Sequence, residues 1–239
     1  MAADVQLASF VNTAGAQRML SQRIVLAYCK IGLGIKPNES RTQLTESIER
    51  FDRQLADLKS LGGAPELQRA VQSVDRIWIK FRELAQGPIS REGARQLWSW
   101  DEDLLYASHK VVRILQDLSG QGYARLVNIS GRQRMLSQRL AKLYMLREWG
   151  FDTLTLHDDM DSARTEFDNA LQLLRDAPES SDETIVELEK VALQWVWFDS
   201  ALNLSGEEPF RLVVATSSDS ILQRMDKITS MYERVAGVQ

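Results

Sequence analysis

Two arginines, Arg18 and Arg134, stand in identical company. Each lies in the run Gln-Arg-Met-Leu-Ser-Gln-Arg, at residues 17–23 and again at residues 133–139, a constant 116 positions apart. Asn12 and Gly15 recur at the same offset as Asn128 and Gly131. Seven consecutive identical residues at a fixed spacing mark a tandem duplication. The chemistry open to such a run is anion recognition, because a guanidinium presents a rigid planar fork of donors. An arginine on a packed face is costly unless an anion or a carboxylate pairs with it. The residues alone leave two readings open. One is a bound anion; the other is a packing motif whose arginines pair with acidic neighbours or snorkel to water. Identical Gln, Arg, Ser, Gln and Arg in two copies that have otherwise diverged favour the ligand.

The run is made of good helix formers without proline, so it predicts an α-helix. Residues on a helix turn by about 100° each. With Gly15 taken as zero, Arg18, Met19 and Gln22 fall within roughly 60° of it, with Val11 and Leu26 along the same stripe. The opposite side carries Leu20, Ile24, Ala27 and Ile31, an ordinary core face. Apolar content on both sides predicts a helix buried on both sides, packed into its own bundle with one face and against a partner helix with the other.

The pattern Asn-x-x-Gly-x-Gln-Arg-Met-Leu-Ser-Gln-Arg resembles the signature helix of the PilJ-type N-terminal sensor domain of type IV pili methyl-accepting chemotaxis transducers. More distantly, Gly15, Arg18, Met19, Ser21 and Arg23 are similar to the pattern in the periplasmic domain of nitrate- and nitrite-responsive histidine kinases. Those domains are four-helix bundles that bind nitrate between two symmetry-related first helices. The resemblance implies that the anion-contacting arginine corresponds to Arg18 and Arg134, with Gly15 and Gly131 beside it. Together with the Met and Gln of the same stripe, the expected ligand set is Gly15, Arg18, Met19, Gln22, Gly131, Arg134, Met135 and Gln138, with Arg23 and Arg139 supporting from behind. This chain departs from those families in holding two copies without a transmembrane helix, kinase module or methyl-accepting module.

Nitrate suits these residues chemically. It is planar and singly charged, and each edge presents two oxygens to a guanidinium fork. Charge-assisted bonds of this kind contribute roughly 1.5–3 kcal/mol each, so two arginines could hold a small anion at about micromolar level. Nitrite offers the same geometry.

The elements that must position these groups follow from periodicity and punctuation. A first helix is expected from about Val5 to Leu33, ending in Gly32, Gly34 and Pro37. Ser40 with Gln43 reads as a capping box for a second helix with Leu44, Ile48, Phe51, Leu55 and Leu58 inward, stopped by Gly62 and Gly63. Pro65 opens a third, with Leu67, Val71, Val74, Trp78 and Phe81 inward. A fourth covers about Arg91 to Leu118, with Leu104, Val111, Leu115 and Leu118 inward. The second signature helix ends at Gly150. Thr153 then opens a helix carrying Met160, Phe167, Leu171 and Leu174. Ser180 with Glu183 caps the next, with Leu188, Trp195, Phe198 and Leu202. Ser205 with Glu208 caps the last, with Val213, Leu222, Met225 and Ile228. Trp78 and Phe81 map onto Trp195 and Phe198 with a one-residue slip. No strand pattern competes.

The fold class expected is therefore all-α: two tandem up-and-down four-helix bundle repeats, residues 1–120 and 121–239, arranged as an internal pseudo-dimer. In that arrangement the first and fifth helices pack side by side and Arg18 and Arg134 converge on one anion. The competing possibility is an unbroken rod through Gly120 and Gly122, which would hold the two motifs apart and require a homodimer with two sites.

Composition bounds the rest. The 239 residues are 44% hydrophobic and 26% charged, as in an ordinary globular protein. A formal net charge of −4 argues against nucleic acid as a partner. Cys29 is alone and is expected to be a small buried hydrophobe. His157, Asp158, Asp159 and Asp161 lie at a helix start, where acidic residues are expected from the dipole, so no metal site is assigned. His109 reads as a lone helix histidine. The run of residues 195–198 reads as core plus a partner contact. No nucleophile–base pair or phosphate loop appears, so neither catalytic residues nor a cofactor is assigned and the chain is not read as an enzyme. The favoured reading is a soluble sensor or binding protein for nitrate or nitrite, monomer or homodimer, signalling to a separate membrane or cytoplasmic partner protein. The alternative is a ligand-free helical module docking on a chemotaxis or pilus transducer. The resemblance favours a periplasmic location with the signal peptide lying upstream of Met1, a cytoplasmic one being the alternative.

Overall fold

A computed structural model describes residues 2–62, 64–119 and 122–236. Among them are eight α-helices and no strand: α1 (Ala2–Gly32), α2 (Pro37–Ser60), α3 (Pro65–Ala85), α4 (Arg91–Leu118), α5 (Gly122–Glu148), α6 (Leu154–Asp176), α7 (Asp182–Leu202) and α8 (Glu208–Ala236). In the first repeat α1 packs on α2 and α4, and α3 packs on α4. The second repeats the plan, with α5 on α6 and α8, and α7 on α8. The chain is two four-helix bundles of one pattern. Both signature helices end in the same glycine cap. Gly34 and Gly150 take positive φ of 72° and 91°, which lets the next N–H reach back, from Ile35 to the Lys30 carbonyl and from Phe151 to the Leu146 carbonyl.

The aromatic cores repeat as well. Phe51 stacks on Trp78 with ring centroids 3.9 Å apart, and Phe167 stacks on Trp195 at 4.1 Å. Each indole N–H donates to an aspartate one residue past the phenylalanine, Asp52 at 2.7 Å and Asp168 at 2.6 Å. The one-residue slip between the repeats is thus absorbed between the second and third helices of each bundle.

Several boundary expectations need correction. α2 begins at Pro37, and Ser40 turns its hydroxyl to the Ile35 carbonyl instead of capping. The cap of α7 is Ser181, which accepts from the Thr184 N–H, while Ser180 bonds Tyr232. α8 starts at Glu208, beyond Ser205. Leu118 and Val213 are exposed, the latter because Val214 takes the inward position. Thr153 and Pro65 stand where the sequence placed them. Gly63, Gly120 and the start at Met1 lie outside the described residues.

The bundles join through α1 and α5, which lie parallel and in register. Arg23 reaches Gln138, and a Cβ on Gly32 would meet the Trp149 ring, so matched levels face each other along the pair. α4 runs antiparallel to both. Its Asp101 meets Gln22 and Lys142, and its Gln116 meets Asn128. Because α4 and α5 lie side by side in opposite directions, the unbroken rod is overturned and the internal pseudo-dimer stands. Both α1 and α5 are buried on both faces: Val11 and Leu26 are covered, as are Leu20 and Ile24, and on α5 Val127 and Met135 are covered, as are Leu136 and Leu140.

Candidate functional site

At the centre of the α1–α5 contact the two motif arginines are almost completely buried, with 1% of Arg18 and 2% of Arg134 exposed. Helix side chains lean toward the helix N-terminus, and that lean carries each guanidinium back to the level of the glycines. A methyl group on Gly15 would lie 3.4 Å from Arg18 Nη2 and 3.8 Å from Arg134 Nη2. On Gly131 it would lie 3.1 Å and 3.8 Å from Arg134 and Arg18 Nη2. The glycines therefore make room for the guanidiniums themselves. Like charges are held together here, almost wholly shielded from bulk solvent. Burial, with Arg132 and Arg134 adding repulsion, lowers the pKa of Arg18 to about 9.

Each arginine is held by the opposite helix. Arg18 Nη2 donates to Asn128 Oδ1 at 2.8 Å, and Arg134 Nη2 donates to Asn12 Oδ1 at 2.7 Å. The asparagine amides are fixed in turn, Asn128 by Gln116 at 2.6 Å and Asn12 by Glu233 at 2.7 Å. The other terminal nitrogen of each arginine, Nη1, turns to the fourth helix of its own bundle. Arg18 Nη1 donates to His109 Nδ1 at 3.3 Å, whereas Arg134 Nη1 donates to Asp226 Oδ1 at 2.5 Å. Burial and the charges of Arg18, Arg132 and Arg113 push His109 down to about 4, so it is neutral at pH 7 and accepts through Nδ1. Among the described residues Arg18 has no carboxylate partner, and neither arginine Nε has a hydrogen-bond partner.

The other motif residues divide. Met19 and Met135 are buried, and Met135 lines a cleft of about 210 Å³ between α4 and α5 with Arg18, Tyr106, His109 and Arg132. One turn further along, Gln22 donates to Asp101 at 2.8 Å, and Gln138 donates to the Ser218 carbonyl at 3.2 Å. Their amides are thus engaged on the fourth helices, away from the guanidinium pair. Arg23 and Arg139 cross between the bundles, to Asp219 of α8 at 2.6 Å and to Glu102 of α4 at 2.9 Å. They fasten one repeat to the other. Next to them Lys142 and Asp101 form a fully buried pair at 2.6 Å.

Asn12 and Asn128 belong to the repeated pattern without being singled out by it as site residues. His109 and Asp226 carry no local signal. The signal that finds them is the one-residue slip, because Trp78 with Trp195 and His109 with Asp226 share an offset of 117 positions. The same offset pairs Gln116 with Glu233 and Glu102 with Asp219. Near the acidic group at the start of α6, His157 is hydrogen-bonded to Asp152 and Asp159 pairs with Arg139, and no metal-ligand cluster is present among the described residues. Nor is any helix among them long and apolar enough to cross a membrane.

The chain matches one family twice, over residues 3–99 and 119–209: PilJ, the type IV pili methyl-accepting chemotaxis transducer N-terminal domain. It is similar to the methyl-accepting chemotaxis protein McpN of Pseudomonas aeruginosa, at 31% identity over 117 residues. That match covers 44% of this chain and 21% of the relative. No solved structure matches.

Proposed function

The chain belongs to the PilJ family of chemotaxis transducer sensor domains, and we propose that it is a signal-transduction module whose input is a small planar oxyanion, nitrate or nitrite. The anion is held between α1 and α5 at the paired Arg18 and Arg134, beside Gly15 and Gly131. The observation that carries this reading is Arg18: a buried guanidinium with no carboxylate partner, beside a second arginine, with an Nε donor left over. An unpaired buried charge is strongly destabilising, and an anion of the right shape relieves it. The Nε–Nη edge of a guanidinium matches two oxygens of nitrate. Chloride has no edge to read.

Binding would change how closely the two like charges can approach, and so the relative position of α1 and α5. A partner protein would read that shift. The apolar stripe of Leu193, Val196 and Trp197 on α7, the last 74% exposed, supports such a partner contact. In keeping with the sensors that the motif resembles, we place the domain in the periplasm.

Thermal unfolding in potassium nitrate against potassium chloride and sulfate at matched ionic strength tests the ligand. A ligand that binds only the folded state adds about 2.7 kcal/mol at a hundredfold excess over its dissociation constant. Nitrate is expected to raise Tm well above the other two salts. Equal shifts for all three would reduce the effect to screening and remove the ligand.

A further inference from the structure

The two arginines share a sequence environment but not an electrostatic one. On α8, Asp226 accepts directly from Arg134, and Glu233 holds the asparagine that also accepts from it. On α4 the equivalent positions carry His109 and Gln116, both neutral, in the same two roles toward Arg18. The surroundings differ as well. Arg18 lines the cleft between α4 and α5, where Arg132 stands as a second cation; the repeat-1 counterpart of Arg132 is Ala16. Glu166 pairs with Arg132 and not with Arg18. On the other side Arg50 of α2 lies within electrostatic reach of Asp226 and Arg134, but Asp226 occupies a donor of Arg134.

We propose that the pseudo-dimer has divided its labour: Arg18 is the half of the site that takes the anion, reached through the α4–α5 cleft past Arg132, while Asp226 holds Arg134 as the structural half. This rests on the oxyanion reading above. His109 is the residue that makes the division, because it supplies Arg18 with an acceptor without supplying a competing negative charge. Asp226 is an internal carboxylate that already fills the place an anion would take on Arg134.

The test exchanges these two positions and reads both Tm without nitrate and the shift that potassium nitrate adds over potassium chloride. His109→Asp gives Arg18 the carboxylate that Arg134 already has. It is expected to raise Tm in chloride and to weaken nitrate binding at least tenfold. Asp226→Asn is expected to lower Tm in chloride and to tighten nitrate binding by about threefold or more. The chloride Tm reports folding, so neither result can be confused with loss of structure. Nitrate binding by His109→Asp equal to the parent's, or loss of binding in Asp226→Asn, overturns the division while leaving the oxyanion reading intact. A parent protein that shows no nitrate shift overturns that reading instead.

Discussion

The halves around Arg18 and Arg134 start from the same seven residues and arrive at different states. Around Arg134 the charge is balanced inside the protein by Asp226 at 2.5 Å. Around Arg18 the partners are an asparagine and a neutral imidazole. A homodimer cannot make this distinction, because in an isologous interface every residue acts twice. Once both copies lie in one chain, the fourth helices are free to diverge while the seven-residue motif on the signature helices stays identical. The interface can then keep one arginine for architecture and leave the other short of a counter-charge.

The largest effect that would probe this comparison lies beside the site. Lys142 and Asp101 are buried together, and the corresponding positions in the other repeat are Leu26 and Ser218, which carry no charge. Lys142→Leu leaves Asp101 with Gln22 alone as a close partner and is expected to cost about 3–5 kcal/mol. Adding Asp101→Ser installs the other repeat's solution and is expected to recover most of that loss. Urea unfolding of the single and double variants checks both, and a double variant no better than the single would show that the repeats are not interchangeable here.

Next come the shared leucines. Leu20 and Leu136 are each 1% exposed at matched levels of α1 and α5. Leu20→Ala and Leu136→Ala should each cost roughly 2–5 kcal/mol. Similar losses would confine the asymmetry to the polar groups; a gap of several kcal/mol between them would spread it to the packing.

A smaller effect separates the arginines directly. Lysine keeps the charge but loses the fork. Arg18→Lys is expected to weaken nitrate binding about tenfold, or about 1.4 kcal/mol, and Arg134→Lys several-fold less. Titration by calorimetry measures both, and equal losses would restore a symmetric site.

Much of this architecture was legible in the residues. The repeat, the all-α class and the inward faces of α2, α3 and α6 follow from periods and glycine stops that act locally, and the side-by-side pairing of α1 with α5 follows from their double-sided burial. The caps were harder, because Ser40, Ser180 and Ser205 lie within a few residues of true helix starts and the local pattern does not decide between neighbours. For Ser180 the rival is the Tyr232 hydroxyl at 2.6 Å, far away in sequence. The chemistry of the site was half legible. The repeated motif names Arg18 and Arg134, but what distinguishes them comes from α4 and α8, where nothing in the local pattern marks His109 or Asp226. Only the packing of the fourth helices against the first shows that one arginine has a carboxylate and the other does not.

The smallest expected effect is a pH dependence that belongs to the Arg18 half alone. His109 faces Arg18, Arg132 and Arg113, and burial together with those charges holds it at about 4, against an ordinary 6.5. Between these values the unfolded chain binds a proton that the folded chain refuses, so stability falls as pH falls from about 6.5 toward 4 and is unaffected above. In His109→Gln that contribution is absent. The drop in Tm from pH 7 to pH 5 should therefore be smaller in the variant than in the parent, because carboxylate titrations act on both alike. An anion on Arg18 offsets the positive charge that keeps His109 unprotonated, so nitrate should flatten the parent's slope and, by the same linkage, bind more tightly at pH 5 than at pH 7. Parallel slopes for parent and variant would mean that His109 titrates as an ordinary histidine in the folded protein. The backing of Arg18 would then carry charge through the lower part of this range, and the contrast with Asp226 would hold only at neutral pH.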